Sequence, residues 1–330
     1  MLIEALIAGW FGFKEGHATA GDIFARDLVC QWLDRIGWTY DIAVTSPFTG
    51  GVDRRSVDPS SYSHVLFVYG PFERKAMEIE FLKRFNKFRL IGLNLSMFEP
   101  LQAWNPFDLL LDRDSSDYAT PDIVFHSQKR LVPVVGVCLV ENYDKALVDD
   151  ANESIYCLLS SREIATVHID TRLDTNSTNL ISPAEIEPLI AGMDVLVTTR
   201  LHGTVLALKN GVPAIAIDPV AGGHKIKRQA DLIGCPVVFT VDVLTDQALQ
   251  KAFYYCLTRE AQEKAKGCHD RAVVMVKKVR DRFTTAFIDL YELEKNYLNR
   301  AVIQDDENFI PYNCSGITAT CSNNNHHNSR

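Results

Sequence analysis

The sequence predicts an α/β protein built from two parallel sheets with helices on both faces. Three observations carry this expectation. Short apolar, β-branched runs alternate with helical stretches as far as Tyr255, and such alternation generates βαβ units and parallel sheets. The chain has 330 residues, enough for two domains with separate cores. Ten candidate strands over about 240 residues suit two Rossmann-like sheets better than one.

The first lobe is expected over residues 1–128. Its strands are Ile3–Ala8, Thr39–Val44, His64–Tyr69, Arg89–Leu95 and Leu109–Leu111, each a short apolar run with polar, Gly or Pro residues nearby. Asp22–Ile36 and Arg74–Phe85 read as helices between them. Pro121-Asp122-Ile123-Val124-Phe125-His126 closes this set, and Ser127-Gln128-Lys129-Arg130 forms a polar linker. The second lobe is expected over residues 129–300, with strands Val132–Leu139, Thr166–Asp170, Asp194–Thr199, Ala214–Ile217 and Val237–Phe239. Its helices are Asp144–Ser161, Ser182–Ala191, Thr204–Asn210, Lys225–Ile233 and Asp246–Tyr255. A last amphipathic, charged helix from Glu260 to about Asn296 is expected to pack across both lobes. Residues 301–330 lose periodicity and end in polar low complexity, so they are expected to be disordered. The His326-His327 pair there reads as solvated tail, not a metal site.

Composition narrows the function classes. Apolar residues make up 47% and charged residues 23%, the profile of a soluble globular chain. A formal net charge of -8 argues against a general binder of nucleic acid or anionic membrane, since either needs a basic surface. The eight cysteines are scattered without a CxxC pair, which speaks for free thiols, a reducing cytoplasm and no zinc site. The N-terminus lacks a cationic segment and carries Glu4, so it is a poor signal peptide. No apolar run reaches membrane-spanning length, which leaves peripheral association open.

The most informative stretch is Arg200-Leu201-His202-Gly203. It lies between a predicted buried strand, Asp194–Thr199, and a predicted helix, Thr204–Asn210, closed by Gly211. In a parallel sheet that turn stands at the carboxyl end of a strand, where ligands bind. The free N–H groups and positive dipole end of the helix favour an anion there.

Around that turn the chain resembles the polysaccharide pyruvyl transferase family. The resemblance rests on Ile190 to Gly203, then Leu206-Ala207-Leu208-Lys209-Asn210-Gly211-Val212-Pro213, Ala216-Ile217-Asp218, Lys225 and Ile233-Gly234. It extends more loosely to the first lobe. Gly9-Trp10-Phe11-Gly12 and Gly21-Asp22 resemble the family's glycine loop and Gly-Asp pair, with a longer loop between them. Tyr69-Gly70-Pro71 occupies the place of a glycine cluster but keeps one glycine. Asp112-Arg113-Asp114-Ser115 and Pro121-Asp122-Ile123-Val124-Phe125 resemble the elements that end the first lobe. The resemblance implies two Rossmann-like lobes facing a cleft, in the GT-B arrangement. It also implies transfer of pyruvate from phosphoenolpyruvate to two hydroxyls of a sugar or glycan acceptor, as a ketal, with no metal or organic cofactor.

Phosphoenolpyruvate carries a carboxylate and a phosphate, so its site needs fixed cations and N–H donors. Arg200 offers a planar fork. Gly203 lets backbone approach the ligand, and the helix opening at Thr204 supplies amides. Lys225 and His224, after Ala221-Gly222-Gly223, are placed to close over the phosphate. Every step of ketal formation moves a proton, so His202 is the general acid–base candidate. Asp22 would orient or deprotonate the sugar hydroxyl, and Gly9 and Gly12 would line the acceptor loop. Plainer readings stand beside these. Arg200 could pair with Asp194 or Asp218, and Asp22 could cap a helix. Gly9 and Gly12 could merely permit a tight turn, and Lys225 could be a solvated lysine. Arg113 and Asp122 read as lobe-boundary structure, and His17, His64, His126, His168 and His269 as structural histidines. Two other functions stay open: a GT-B glycosyltransferase using a nucleotide sugar, and a non-catalytic glycan- or nucleotide-binding relative. Oligomeric state is not legible.

Overall fold

Strands buried on both faces organise each half of the chain. The computed structural model describes residues 3–13, 18–128, 131–140 and 146–304. By its contacts the chain divides into two units, Met1–Arg130 and Leu131–Arg330.

The first unit contains β1 (Ile3–Ala8), α1 (Trp10–Phe13), α2 (Ala20–Arg35), β2 (Tyr40–Val44), β3 (Val52–Asp53), β4 (Tyr62–Phe72), α3 (Ala76–Phe85), β5 (Arg89–Met97) and β6 (Leu109–Leu111). The six strands are parallel in the order β3-β2-β1-β4-β5-β6. This is a doubly wound order whose direction reverses between β1 and β4. Alternation along β1 divides the core. Ala5 and Ile7 pack with Val29 and Val68, while Leu6 and Ala8 pack with Phe67 and Phe81 on the other face. β3 is a two-residue strand that composition alone does not reveal.

Helix α2 begins at Ala20, before the predicted Asp22, for a local reason. Thr19 is the N-cap, and Asp22 Oδ2 accepts hydrogen bonds from the Thr19 N–H and Oγ1 at 2.8 and 2.7 Å. This reciprocal box satisfies the first orphan amides of the helix.

The second unit contains β7 (Val134–Cys138), α4 (Ala146–Ser160), β8 (Ala165–His168), α5 (Pro183–Ala191), β9 (Val195–Thr198), α6 (Leu201–Lys209), β10 (Ala214–Asp218), α7 (Lys225–Ile233), β11 (Val238–Thr240), α8 (Asp246–Cys256) and α9 (Arg259–Gln304). Its five parallel strands run β11-β10-β9-β7-β8. Counted within the unit this is the 2-1-3-4-5 order, with its switch point between β7 and β9. Val135, Val137, Val195, Val197, Ile215 and Ile217 pack on one face with α4 and α8. Leu196 and Ala214 pack on the other with Ile190, Leu208, Ala230 and Ala265. Gly211, at φ 70°, ends α6 in the left-handed region that a side chain disfavours.

Two expectations change. Helix α9 continues to Gln304, so the expected tail starts later; residues 305–330, with His326 and His327, lie outside the described residues. The second half of α9 is not packed: every residue from Val273 to Lys295 is exposed. Among the described cysteines, Cys138, Cys235, Cys256 and Cys268 are buried and free. Burial pushes the Cys235 thiol up to about 11 and the Cys256 thiol up to about 12, which makes both poor nucleophiles. No described helix is long and apolar enough to cross a membrane.

Candidate functional site

The carboxyl ends of β7, β8, β9 and β10 open into a cavity of about 380 Å³. Val140, Thr171, Arg172, Arg200, His202, Asp218, His224 and Lys225 line it. The sheet's switch point predicts a ligand at this edge.

The β9–α6 turn is built by a few polar atoms. Thr198 Oγ1 donates to the Cys138 carbonyl at 2.8 Å and accepts the Arg200 N–H at 3.0 Å. Thr199 Oγ1 accepts the Val140 N–H at 2.7 Å, tying the loops after β7 and β9 together. Arg200 is the N-cap residue, and α6 starts at Leu201, three residues before the predicted Thr204. The orphan amides of the first turn are therefore those of Leu201, His202 and Gly203. The Thr204 N–H is already spent on the Arg200 carbonyl at 3.1 Å.

This start changes two roles. Thr204 is 1% exposed, and its hydroxyl bonds back to the Arg200 carbonyl at 3.2 Å, so it serves the helix and not a ligand. Gly203 is buried too. A Cβ there would lie 2.4 Å from Thr198 Oγ1 and 3.2 Å from Cys138 Sγ, so glycine is required by close helix–strand packing. In an open helix Gly→Ala stabilises by about 0.5–1 kcal/mol. Here overpacking, at about 1–3 kcal/mol, outweighs that gain. Gly203→Ala is therefore expected to lower the denaturation midpoint in urea; a raised midpoint would contradict the packing assignment.

Arg200 is more committed than a free anion clamp. Its Nε donates to the Leu139 carbonyl at 2.8 Å, and its Nη2 lies 3.3 Å from Asp170 Oδ1. The sequence alternatives for its partner, Asp194 and Asp218, are both engaged elsewhere. Asp194 accepts the Val134 N–H at 2.7 Å. The buried Asp218 carboxylate accepts the N–H groups of Val220, His224 and Lys227 at 3.1, 2.7 and 2.9 Å. Asp218 thus shapes the β10–α7 loop and presents His224 and Lys225 at the start of α7. Both side chains are exposed, as is His202, and none of the three makes a hydrogen bond or ion pair to a described residue. Arg172 is the remaining cation. It grips exposed Asp174 through Nε and Nη2 at 3.1 and 2.8 Å, and that pairing holds the Asp174 carboxyl down to about 2. Among the described residues, the cavity therefore gathers five basic side chains while the Asp218 carboxylate that lines it is internally satisfied, an arrangement suited to an anion.

Residues 108–219 match the polysaccharide pyruvyl transferase family. The matching segment runs from the start of β6 to the end of β10 and includes Arg200, His202 and Gly203. His224 and Lys225 lie just beyond it. No curated protein matches this chain. Among solved structures, the UDP-GlcNAc 2-epimerase from Methanocaldococcus jannaschii is 9% identical, over 83% of this chain and 99% of that one, with a TM-score of 0.32. The glycotransferase of kitacinnamycin is 11% identical, over 81% and 93%, with a TM-score of 0.30. Likenesses this distant carry no functional weight; the α/β architecture stands on the two parallel sheets themselves.

The first-unit candidates Gly9, Gly12 and Asp22 lie outside the family segment, each in a packed or capping position. Gly9 and Gly12 are buried. A Cβ on Gly12 would lie 2.2 Å from the Ala43 carbonyl, and one on Gly9 2.8 Å from that of Val68, so both glycines permit close backbone packing. Asp22 is 4% exposed and its Oδ2 closes the α2 cap, the plainer of its two expected readings. Tyr69-Gly70 keeps the backbone of a glycine pair, with φ of 67° and 89°. Tyr69 tolerates the left-handed region because its hydroxyl donates to Asp122 at 2.8 Å and its ring lies under Arg113. Arg113 Nη1 reaches the same Asp122 carboxylate at 3.3 Å, an ion pair within the first unit. His17 lies outside the described residues.

Sequence reading missed Asp170, Thr199 and Arg172. Each stands at the carboxyl end of a strand, and that position was the available signal. Among the described residues no three His, Cys, Asp or Glu side chains gather as metal ligands.

Proposed function

We propose that the second-unit cavity binds phosphoenolpyruvate and that the protein transfers its pyruvyl group to a sugar as a cyclic ketal. The observation that carries this reading is the convergence of His202, His224 and Lys225, none with a side-chain partner among the described residues, on one cavity fed by the family-matching segment. The amides of Leu201 and His202 and the Lys225 ammonium would take the phosphate or carboxylate. Arg200 adds Nη1, the guanidinium nitrogen left free by Leu139 and Asp170.

The chemistry then needs protons moved. His202 protonates C3 of the enol, which makes C2 electrophilic. One sugar hydroxyl adds to C2 and gives up its proton. Phosphate leaves with the C2–O bonding pair, and a second hydroxyl of the same sugar closes the ketal and loses its proton. Anion binding and proton transfer supply every step, so the proposal invokes no cofactor. The acceptor is a sugar or glycan presenting two hydroxyls close enough to share one carbon.

Ligand-induced stabilisation tests the donor. A ligand at 100 times its Kd stabilises the native state by about 2.7 kcal/mol. Phosphoenolpyruvate at that level is expected to raise Tm by about 5 °C. Stabilisation by UDP, GDP or CMP without a response to phosphoenolpyruvate would replace this reading with a nucleotide-sugar glycosyltransferase.

A further inference from the structure

Helix α9 changes surroundings halfway along its length while its apolar stripe does not. In the first half, Ala261, Ala265 and Cys268 are fully buried at spacings of four and three, and Ala272 follows half-buried. The stripe continues as Val276, Val279, Phe283, Ala286, Leu290 and Leu293, at spacings of three, four, three, four and three. None of these is covered: Val276, Val279, Phe283, Leu290 and Leu293 are 56–66% exposed. At its base the stripe meets an apolar groove of about 590 Å³ lined by Val205, Leu208, Ile233, Val273 and Val276. A 3.5-residue repeat selects a helix as the covering surface, because it keeps one seam facing a partner helix over its whole length.

The charge distribution selects which helix. Lys277, Lys278, Arg280 and Arg282, against Asp281 alone, make the first part of the exposed segment basic. Asp289, Glu292 and Glu294, against Lys295 alone, make the second part acidic. A parallel copy would set like charges side by side. An antiparallel copy sets the basic part of each helix against the acidic part of the other.

We propose that α9 pairs with α9 of a second copy of this chain in an antiparallel, two-fold symmetric dimer. One register satisfies all three apolar layers: Val276 against Leu293 of the second copy, Val279 against Leu290, and Phe283 against Ala286. The two-fold axis then passes between Thr284 and Thr285, as a self-complementary interface requires. Arg282 faces Asp289 of the second copy across the seam, and the end of that copy's α9 lies over the apolar groove. Arg280 already touches its neighbour Asp281 at 2.8 Å, but an exposed pair of this kind holds its partners weakly.

Light scattering on the full chain reads the outcome directly. The expected mass is twice 37.1 kDa. Val279→Asp combined with Leu290→Asp is expected to give monomer with unchanged helical content, since both side chains are exposed in the single chain. Arg280→Glu with Arg282→Glu is expected to weaken association about tenfold or more, and adding Asp289→Arg with Glu294→Arg to restore it. Orientation is read by cysteine pairs. Val276→Cys with Leu293→Cys should form a covalent dimer under mild oxidation beyond that of the parent chain, while Val276→Cys alone should not. A monomeric parent chain overturns the proposal, whether or not α9 then binds anionic phosphatidylserine vesicles. So does cross-linking by Val276→Cys alone, which reports parallel helices.

Discussion

His202→Ala is expected to lower kcat by about 10²–10⁴, the range for loss of a general acid–base group, while phosphoenolpyruvate affinity changes little. His202 lies in the first turn of α6 with an exposed imidazole that holds no other group in place. Its removal leaves no orphaned donor or acceptor among the described residues, so stability should stay within about 0.5 kcal/mol of the parent. The amides that would seat the anion belong to the backbone and survive the substitution. The loss should therefore fall on proton transfer. Single-turnover kinetics and donor titration on the same preparation check both halves. His224 is the internal competitor, since its ring lines the same cavity. Normal turnover in His202→Ala with a collapse in His224→Ala would move the acid–base role to His224.

The parts of this molecule that sequence made legible are those dictated by burial. A strand such as Val195–Thr198 is buried at all four positions. A strand buried on both faces reads as a continuous apolar run whatever its neighbours are. The strand-end position of Arg200 and His202 follows from that run alone. Helix starts were less legible because they are set by single side-chain-to-backbone bonds. Thr19 and Asp22 move the start of α2 to Ala20, and Thr198 Oγ1 lets α6 start at Leu201. Those shifts of two or three residues also change what the flanking side chains bond to. They give Asp22 a capping role, and Thr204 that of a helix brace.

Glycines misled for a related reason. Gly9, Gly12 and Gly203 look like ligand-binding glycines because each follows a strand. What each lacks is room for a Cβ, against the Val68 carbonyl, the Ala43 carbonyl and Thr198 Oγ1 respectively. Steric need from the protein and steric need from a ligand leave the same letter in a sequence. The uncovered stripe of α9 was hidden in a different way. Its amphipathic pattern predicts an apolar face, but that pattern is equally satisfied by the chain's own body or by another helix, and along Val273–Lys295 the face stays exposed.

Asp170 is the residue whose removal should disturb the cavity most. It is 6% exposed, and Oδ1 alone serves both the Arg200 guanidinium at 3.3 Å and the Arg172 N–H at 2.9 Å. Removing one partner of a buried pair costs about 3–5 kcal/mol because the other charge is left uncompensated. Arg200 keeps its bond to Leu139 and borders a solvent-accessible cavity, so Asp170→Ala should cost about 2–3 kcal/mol, below that range. Asp170→Ala with Arg200→Met should cost less than Asp170→Ala alone, since the stranded charge is then gone. The ligand response separates structure from function. If the Arg200 fork belongs to an anion site, phosphoenolpyruvate replaces the missing carboxylate. The ligand-induced rise in Tm should then be larger in Asp170→Ala than in the parent chain. If Arg200 only braces the β7–β9 loops, the two rises should be equal, and the double substitution should leave donor affinity unchanged. Urea denaturation and thermal shifts with and without phosphoenolpyruvate, on the four proteins of this cycle, distinguish the two roles of one guanidinium.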